Sequence, residues 1–263
     1  MQSKSEKSKP LLSIIIPARN EARNLPNTLQ KIIDVLDKAL IPLEIIVVND
    51  HSRDNTTKII NKISEEDPRV KLVANTYPRG IGYSVRQGLE IFSGDAVVIV
   101  MADSSDYPQD IVKYYKLILK GYECVFGTRF CRQAKVINYP WHKLILNRLG
   151  NLFIQLLFWL PYNDVSNAFK CYSRKAIEGI SPLISYHFNL TVEMPLKAII
   201  RGYKWCVVPT NWYGRDKGVS KWNIKEMGSR YMFIILYLWL EKSLSRKDYH
   251  RSTLLLQRYK KHN

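Results

Sequence analysis

The 263-residue sequence has no unbroken apolar run near the ~20 residues a helix needs to cross a bilayer. Two segments come part of the way. Residues 144–160 are interrupted by Asn147, Arg148, Asn151 and Gln155, and residues 231–240 are too few to span alone. Neither is expected to cross a membrane, and both suit an interface. The opening residues lack the apolar stretch of a secretory leader, so none is expected. Cysteine is scarce: Cys124, Cys131, Cys171 and Cys206 form no C-x-x-C pair, and no H-x-x-x-H occurs. That argues against a disulfide frame or a zinc site and fits a reducing compartment. Neither G-x-G-x-x-G nor G-x-x-x-x-G-K-[ST] appears, which argues against dinucleotide oxidoreductases and P-loop enzymes. Gly80-Ile81-Gly82 is too little to replace them. Acidic residues are outnumbered 23 to 40, a net charge of +17. Such a field attracts nucleotide phosphates, lipid headgroups or nucleic acid, or simply keeps a surface soluble. No RNP, KH or helix-turn-helix pattern accompanies the charge, so nucleic acid is not an expected partner.

What is present is an alternation of two periods. Leu12 to Ile16, Ile45 to Val48, Val70 to Val73, Ala96 to Met101 and Cys124 to Phe126 are short apolar runs of the kind that form buried parallel strands. Between the first two, Leu25, Leu29, Ile32, Ile33, Leu36 and Leu40 recur at helical spacing, with Asn24 as candidate N-cap and Pro26 in the first turn. A second helix is expected from Asp54, a third over Val85 to Phe92 and a fourth over Ile111 to Leu119. The expected fold is α/β: a mostly parallel sheet with helices on both faces.

Ligands of such sheets bind beyond the carboxyl ends of the strands. The strands here are followed by Pro17-Ala18-Arg19-Asn20-Glu21, Asn49-Asp50-His51-Ser52, Ala102-Asp103-Ser104-Ser105-Asp106 and Gly127-Thr128-Arg129. Acids and arginines therefore gather at one edge, beyond what polar loops alone require. Asp103 and Asp106 are placed to hold Mg²⁺ or Mn²⁺, which takes few protein carboxylates and completes its shell with phosphate oxygens. The plainer alternative is that they cap the next helix or shape the turn.

These pieces resemble the family 2 glycosyltransferases, in particular the dolichol- or polyprenol-phosphate mannose synthase branch. Ile14-Ile15-Ile16-Pro17-Ala18-Arg19-Asn20-Glu21 with Asn24-Leu25 resembles IIP-x-x-NE-x-x-NL. Val47-Val48-Asn49-Asp50-His51-Ser52-Arg53-Asp54-Asn55-Thr56 resembles VVDDGSxDGT. Phe126-Gly127-Thr128-Arg129 is similar to GSR, the stretch from Asp164 to Lys170 sits where D-x-x-SGFR is expected, and Arg215-Asp216-Lys217-Gly218-Val219-Ser220-Lys221 matches R-x-x-G-x-SK. With Arg79-Gly80-Ile81-Gly82, six pieces occur in family order.

The resemblance implies a GT-A, Rossmann-like domain that binds a nucleotide-diphospho-sugar with a divalent cation. It implies that Pro17, Arg19, Glu21, Val48 and Asp50 line the base and ribose pocket, with Ala102 and Asp103 beside the donor. Arg129, Arg215 and Lys221 are then expected at the pyrophosphate or acceptor phosphate. Asp103, Arg215 and Glu193 are the residues expected to carry catalysis, Glu193 by orienting the acceptor or its loop; an ordinary helix-surface acid is the alternative. The chain also departs from the pattern. Ala102 and Ser104 fall at the two acidic positions of D-x-D, so the metal is held by the shifted pair Asp103/Asp106 or metal dependence is weakened. Asn49 replaces the first acid of DD. Ser166-Asn167-Ala168-Phe169 lacks the glycine and arginine of SGFR, although Lys170 follows.

The expected reaction is an inverting transfer from GDP-mannose or a UDP-sugar to a polyprenyl phosphate. A cell-surface saccharide acceptor, and a degenerate non-catalytic relative, are the alternatives. Apolar stretches ending in tryptophan, followed by Lys242, Arg246, Lys247, Arg251, Arg258, Lys260 and Lys261, suit an anionic leaflet. The protein is thus expected peripherally on the cytoplasmic face of a membrane. Residues 1–10 are expected as a disordered basic arm. Residues 11–222 form the GT-A domain, its nucleotide part about 11–130 and its acceptor part about 131–222. An amphipathic helix and basic tail occupy 223–263.

Overall fold

The computed structural model describes residues 9–214 and 224–253, with side chains in the second span from residue 228 onward. Arg215, Lys221 and the tail from 254 lie outside the described residues, as do residues 1–8 of the expected arm. Lys9 and Pro10 are already tied down: the Lys9 ammonium donates to the Leu40 carbonyl at 2.9 Å and the Tyr115 hydroxyl to that of Pro10 at 2.7 Å.

In chain order the elements are β1 (Leu12–Ala18), α1 (Leu25–Lys38), β2 (Leu43–Asn49), α2 (Thr56–Glu66), β3 (Val70–Ala74), α3 (Ile81–Ile91), β4 (Ala96–Ile99), α4 (Pro108–Leu119) and β5 (Cys124–Thr128). The second half adds β6 (Val136–Ile137), α5 (Trp141–Phe158), β7 (Lys170–Ser173), α6 (Arg174–Ile180), α7 (Leu190–Ile200), β8 (Trp205–Pro209), β9 (Trp212–Tyr213) and α8 (Ile224–Leu244). Seven strands form one sheet in the order β3-β2-β1-β4-β7-β5-β8, and β6 pairs with β9 separately. All the large sheet's pairings are parallel except those of β7, which runs antiparallel between β4 and β5.

Alternate strand residues feed two cores, as the pleat requires. Leu12, Ile14, Ile16, Ile45 and Val47 meet Leu25, Leu29, Ile32 and Leu36 of α1, Ile60 of α2 and Tyr114 of α4. Ile15, Ile46, Val48, Val97 and Ile99 meet α3, α5, α6, α7 and α8 on the other face. Two close approaches demand glycine. A Cβ on Gly127 would lie 2.2 Å from the Tyr114 hydroxyl, and one on Gly82 would lie 2.4 Å from the Tyr186 carbonyl carbon.

Several expected boundaries move. The second helix begins at Thr56, two residues after Asp54, because the Asp54 carboxylate accepts from the Thr56 N–H at 3.0 Å and so stands outside the helix. The third begins four residues earlier than expected, at Ile81. Asn24 occupies the N-cap of α1 but makes no side-chain cap; its amide donates to Glu21 at 2.7 Å. Leu40 is not part of the apolar stripe. α1 ends at Lys38, and Leu40 turns outward at φ 52°, 72% exposed. β7, β8 and the helices α6 and α7 were not anticipated.

Candidate active site

The carboxyl ends of β1, β2 and β4 stand side by side: Pro17 pairs with Val48, Ala18 with Asn49, and Ile15 with Ile99. The loops beyond them are cross-laced. The Asn20 N–H donates to the Ser52 hydroxyl at 3.0 Å, Arg53 N–H to the Asn20 side-chain oxygen at 2.8 Å, and Glu21 N–H to the Thr56 hydroxyl at 3.0 Å. Non-glycine residues with positive φ fall at all three strand ends: Asn20 at 56°, His51 at 54° and Ser104 at 59°. Each such conformation costs of order 1–3 kcal/mol and persists only where surrounding bonds impose it, commonly at ligand sites.

Within this edge, Asp50 is buried. Its carboxylate accepts from the Asn75 amide at 2.8 Å and from the Gly80 N–H at 3.2 Å, which fastens the loops after β2 and β3 together. Asn49 uses both ends of its amide, accepting from Ser52 N–H at 3.1 Å and donating to the Thr57 hydroxyl at 2.9 Å. Glu21 is buried against Asn24. Arg19 is half-buried and its Nε has no hydrogen-bond partner among the described residues, while Pro17 and Val48 are buried in the floor. In strand order β1 alone separates Asp50 from Asp103, a lateral gap of about 10 Å.

Asp103 and Asp106 share one turn after β4. Asp103 accepts from the N–H and hydroxyl of Ser105 at 3.1 and 2.6 Å. Asp106 accepts from the Met101 N–H at 2.9 Å, and its second oxygen accepts no hydrogen bond among the described residues. Burial pushes the Asp106 carboxyl up to about 7; the Met101 N–H opposes this and the charge of Asp103 adds to it. The turn is braced from α1, where the Thr28 hydroxyl donates to the Ala102 carbonyl at 2.9 Å and lies 2.6 Å from that of Ser104. Thr28 was not among the expected site residues; only its helical position was legible.

No group of three His, Cys, Asp or Glu gathers to hold a metal among the described residues. Two carboxylates on one turn, that of Asp106 with an oxygen that accepts no hydrogen bond among the described residues, nevertheless match the donor set of Mg²⁺ or Mn²⁺ when phosphates complete the shell.

Two expected residues are engaged inside the protein. Arg129 grips Asp164 with its N–H at 2.8 Å, Nε at 2.9 Å and Nη2 at 2.7 Å, and both residues are buried. Glu193 is 0% exposed. It accepts from the N–H groups of Ile184 and Ser185 at 2.8 and 2.7 Å and pairs with buried Lys197 at 2.6 Å. Neither of its oxygens faces solvent; what it orients is the loop after α6. Lys170 was undervalued. Counted from Asp164, the arginine of D-x-x-SGFR falls on Lys170 itself. Its buried ammonium donates to the Val165 and Thr191 carbonyls at 2.9 and 3.2 Å, while burial lowers it to about 7.

A twisted sheet with one antiparallel insertion, and a strand edge that gathers acids, is the architecture of GT-A glycosyltransferases. Residues 13–181 match glycosyl transferase family 2, and the chain belongs to that family. It is 28% identical over 222 residues to the polyprenol monophosphomannose synthase of Mycolicibacterium smegmatis, covering 81% of this chain and 82% of that protein. It is 29% identical over 215 residues to the dolichol-phosphate mannosyltransferase of Pyrococcus furiosus, covering 80% of this chain and 58% of that protein's length. The fold is shared with glucosyl-3-phosphoglycerate synthase from Mycobacterium tuberculosis, solved with Mn²⁺, UDP and phosphoglyceric acid. That match has a TM-score of 0.64 at 17% identity and covers 89% of this chain and 78% of that one. The protein is therefore a glycosyltransferase.

Proposed function

We propose that this enzyme moves a sugar from a nucleoside-diphosphate donor, GDP-mannose or a UDP-sugar, to a polyprenyl phosphate at a membrane surface. The observation that carries the reading is the laced edge holding Asp50 and Asp103 either side of β1, with an apolar helix pair on the flank of the same sheet. The mannose donor and lipid acceptor are supported by the names of the two relatives.

In this reading Arg19, Glu21 and Asp50 bound the base and ribose, with Pro17 and Val48 as floor. Asp103 and Asp106 would hold a Mg²⁺ or Mn²⁺, which when bound would supply charge neutralisation for the diphosphate. Arg215 and Lys221, outside the described residues, are assigned to the same phosphates. Arg129, through Asp164, holds the end of β5 against the segment that leads into β7, and Glu193 fixes the loop after α6. A phosphate acceptor is already ionised near neutral pH, so attack on the anomeric carbon needs little help from a base. We assign the donor to the part over residues 11–130 and the acceptor to 131–222, with the helix and tail of 223–263 serving attachment.

Attachment is supported by the outward faces of α5 and α8. Trp141, Leu149, Leu156 and Trp159 on or beside α5, and Phe233, Leu236, Leu240 and Leu244 on α8, are all exposed. No described helix is long and apolar enough to cross a membrane. Such faces beside a polybasic chain suit peripheral binding on a cytoplasmic, anionic leaflet. The test is thermal stabilisation by a panel of UDP- and GDP-sugars with Mg²⁺, followed by transfer to a short polyprenyl phosphate and to an oligosaccharide. Extension of the oligosaccharide alone moves the acceptor to the saccharide class; no donor binding at all identifies a non-catalytic relative.

A further inference from the structure

The helices of the second face converge at the edge of the sheet opposite the candidate active site. β8 runs parallel to β5, and both run with β1 and β4 because β7 reverses twice between them. α7, which leads into β8, therefore ends at the far edge. There its residue Arg201 pairs with Glu241 of α8 at 2.8 Å, and Lys242 donates to the last carbonyl of α5, Phe158, at 2.6 Å. Between the three helix ends lies a cleft of about 350 Å³. Its apolar wall is Phe158, Leu160, Ile199 and Ile200; Lys247 and His250 stand on its rim.

We propose that this cleft binds the headgroup end of an anionic phospholipid, with phosphate at Lys247 and the first methylenes against Phe158 and Leu160. Three observations converge on it. Trp159, which follows α5 directly, takes the left-handed conformation at φ 54° and is 89% exposed. Large aromatic side chains with a polar tip belong at the lipid–water boundary. Leu244, at the end of α8 and next in sequence to Ser245 of the cleft, is 71% exposed. Arg246 and Lys247 are consecutive left-handed residues, at φ 48° and 69°, in the turn that closes the rim.

Three helix C-termini carry partial negative charge and alone would repel an anion. At the α5 end that charge is answered. Lys242 covers the α5 terminus, and Arg201 is matched by Glu241. Arg251 is committed to Glu123. Among the described residues Arg246 and Lys247 make no ion pair, and after Glu241 the only acid in the sequence is Asp248. The site is separate from the donor edge and binds lipid as an anchor, not as substrate. It shares with the proposed function only the placing of α5 and α8 against a membrane.

The test titrates short-chain dihexanoyl-phosphatidylglycerol, dihexanoyl-phosphatidylcholine and glycerol 3-phosphate, each monomeric, into the full chain. Tryptophan fluorescence is followed in the natural protein and in Trp159→Phe. The phosphatidylglycerol should bind at least about fivefold tighter than the phosphatidylcholine, and Lys247→Glu should weaken it by more than about fivefold, since one basic residue near anionic headgroups is worth about that much and the substitution changes two charges. Equal binding of the two lipids, an unaffected Lys247→Glu protein, or glycerol 3-phosphate binding as tightly as the lipid would each overturn the proposal. Donor-nucleotide stabilisation measured on the same sample separates the outcomes. If it persists while lipid discrimination is absent, only the cleft fails.

Discussion

Arg129 holds Asp164 through its main-chain N–H and two guanidinium nitrogens, joining the end of β5 to a residue 35 positions along the chain. Both groups are buried, so neither is replaceable by water. Removing one partner leaves a desolvated charge, a loss of about 3–5 kcal/mol. Asp164→Ala should lose that much stability in urea unfolding, whereas an Arg129→Met/Asp164→Leu double variant should lose clearly less. Equal losses for the two would mean that the pair matters by shape alone.

Glu193 and Lys197 make a second buried pair, one helical turn apart. Glu193→Gln should destabilise by about 3 kcal/mol because Lys197 keeps its buried charge with the Pro182 carbonyl but no counter-charge. A general base would behave differently, with turnover falling and stability unchanged. Chemical denaturation and kcat measured on one preparation distinguish the two.

At the opposite edge from the site, Glu44 ties three strands and a turn. It accepts from the Ser13 hydroxyl at 2.6 Å, the Ser93 N–H at 2.6 Å and the Lys71 ammonium at 2.9 Å. Burial raises its carboxyl, but these bonds outweigh that and bring it down to about 2. A depressed carboxyl stabilises the fold fully above its unfolded value of about 4.5 and loses that contribution as pH falls toward 2. Between pH 5 and 2, stability should therefore fall more steeply in the natural protein than in Glu44→Gln. Parallel acid profiles would contradict this.

How far these pairs were legible differs residue by residue. β1, β2 and β4 were readable because strands buried on both faces are continuous apolar runs, and the loops after them carried the expected acids. β7 was not, since Lys170-Cys171-Tyr172-Ser173 has no such run and owes its place to strands on either side. Arg129 was expected at a phosphate because its motif says so; its occupation by Asp164 is a tertiary fact that spacing does not encode. Glu193 was read as a helix acid near an acceptor, and nothing local announces that Ile184 and Ser185 aim their N–H groups at it. Leu40 fitted the helical period, but the chain turned one residue too soon.

Asp103 and Asp106 invite a more selective change. Asp103→Asn should leave the melting temperature within a degree or two while weakening Mg²⁺-dependent donor binding about tenfold or more, as expected when a carboxylate ligand is lost. Asp106→Asn keeps an acceptor for the Met101 N–H and should behave alike. Donor binding that is the same with and without Mg²⁺, in the natural protein and both variants, would remove the cation from the scheme.

The most direct measurement is amide hydrogen exchange with and without a donor nucleotide sugar and Mg²⁺. Protection should appear in residues 18–22, 49–54 and 101–107, the three laced loops at the strand ends, and be absent at 201–204 on the far edge. Protection confined to the far edge, or none at saturating donor, would contradict a donor held with its nucleoside at Asp50 and its diphosphate at Asp103.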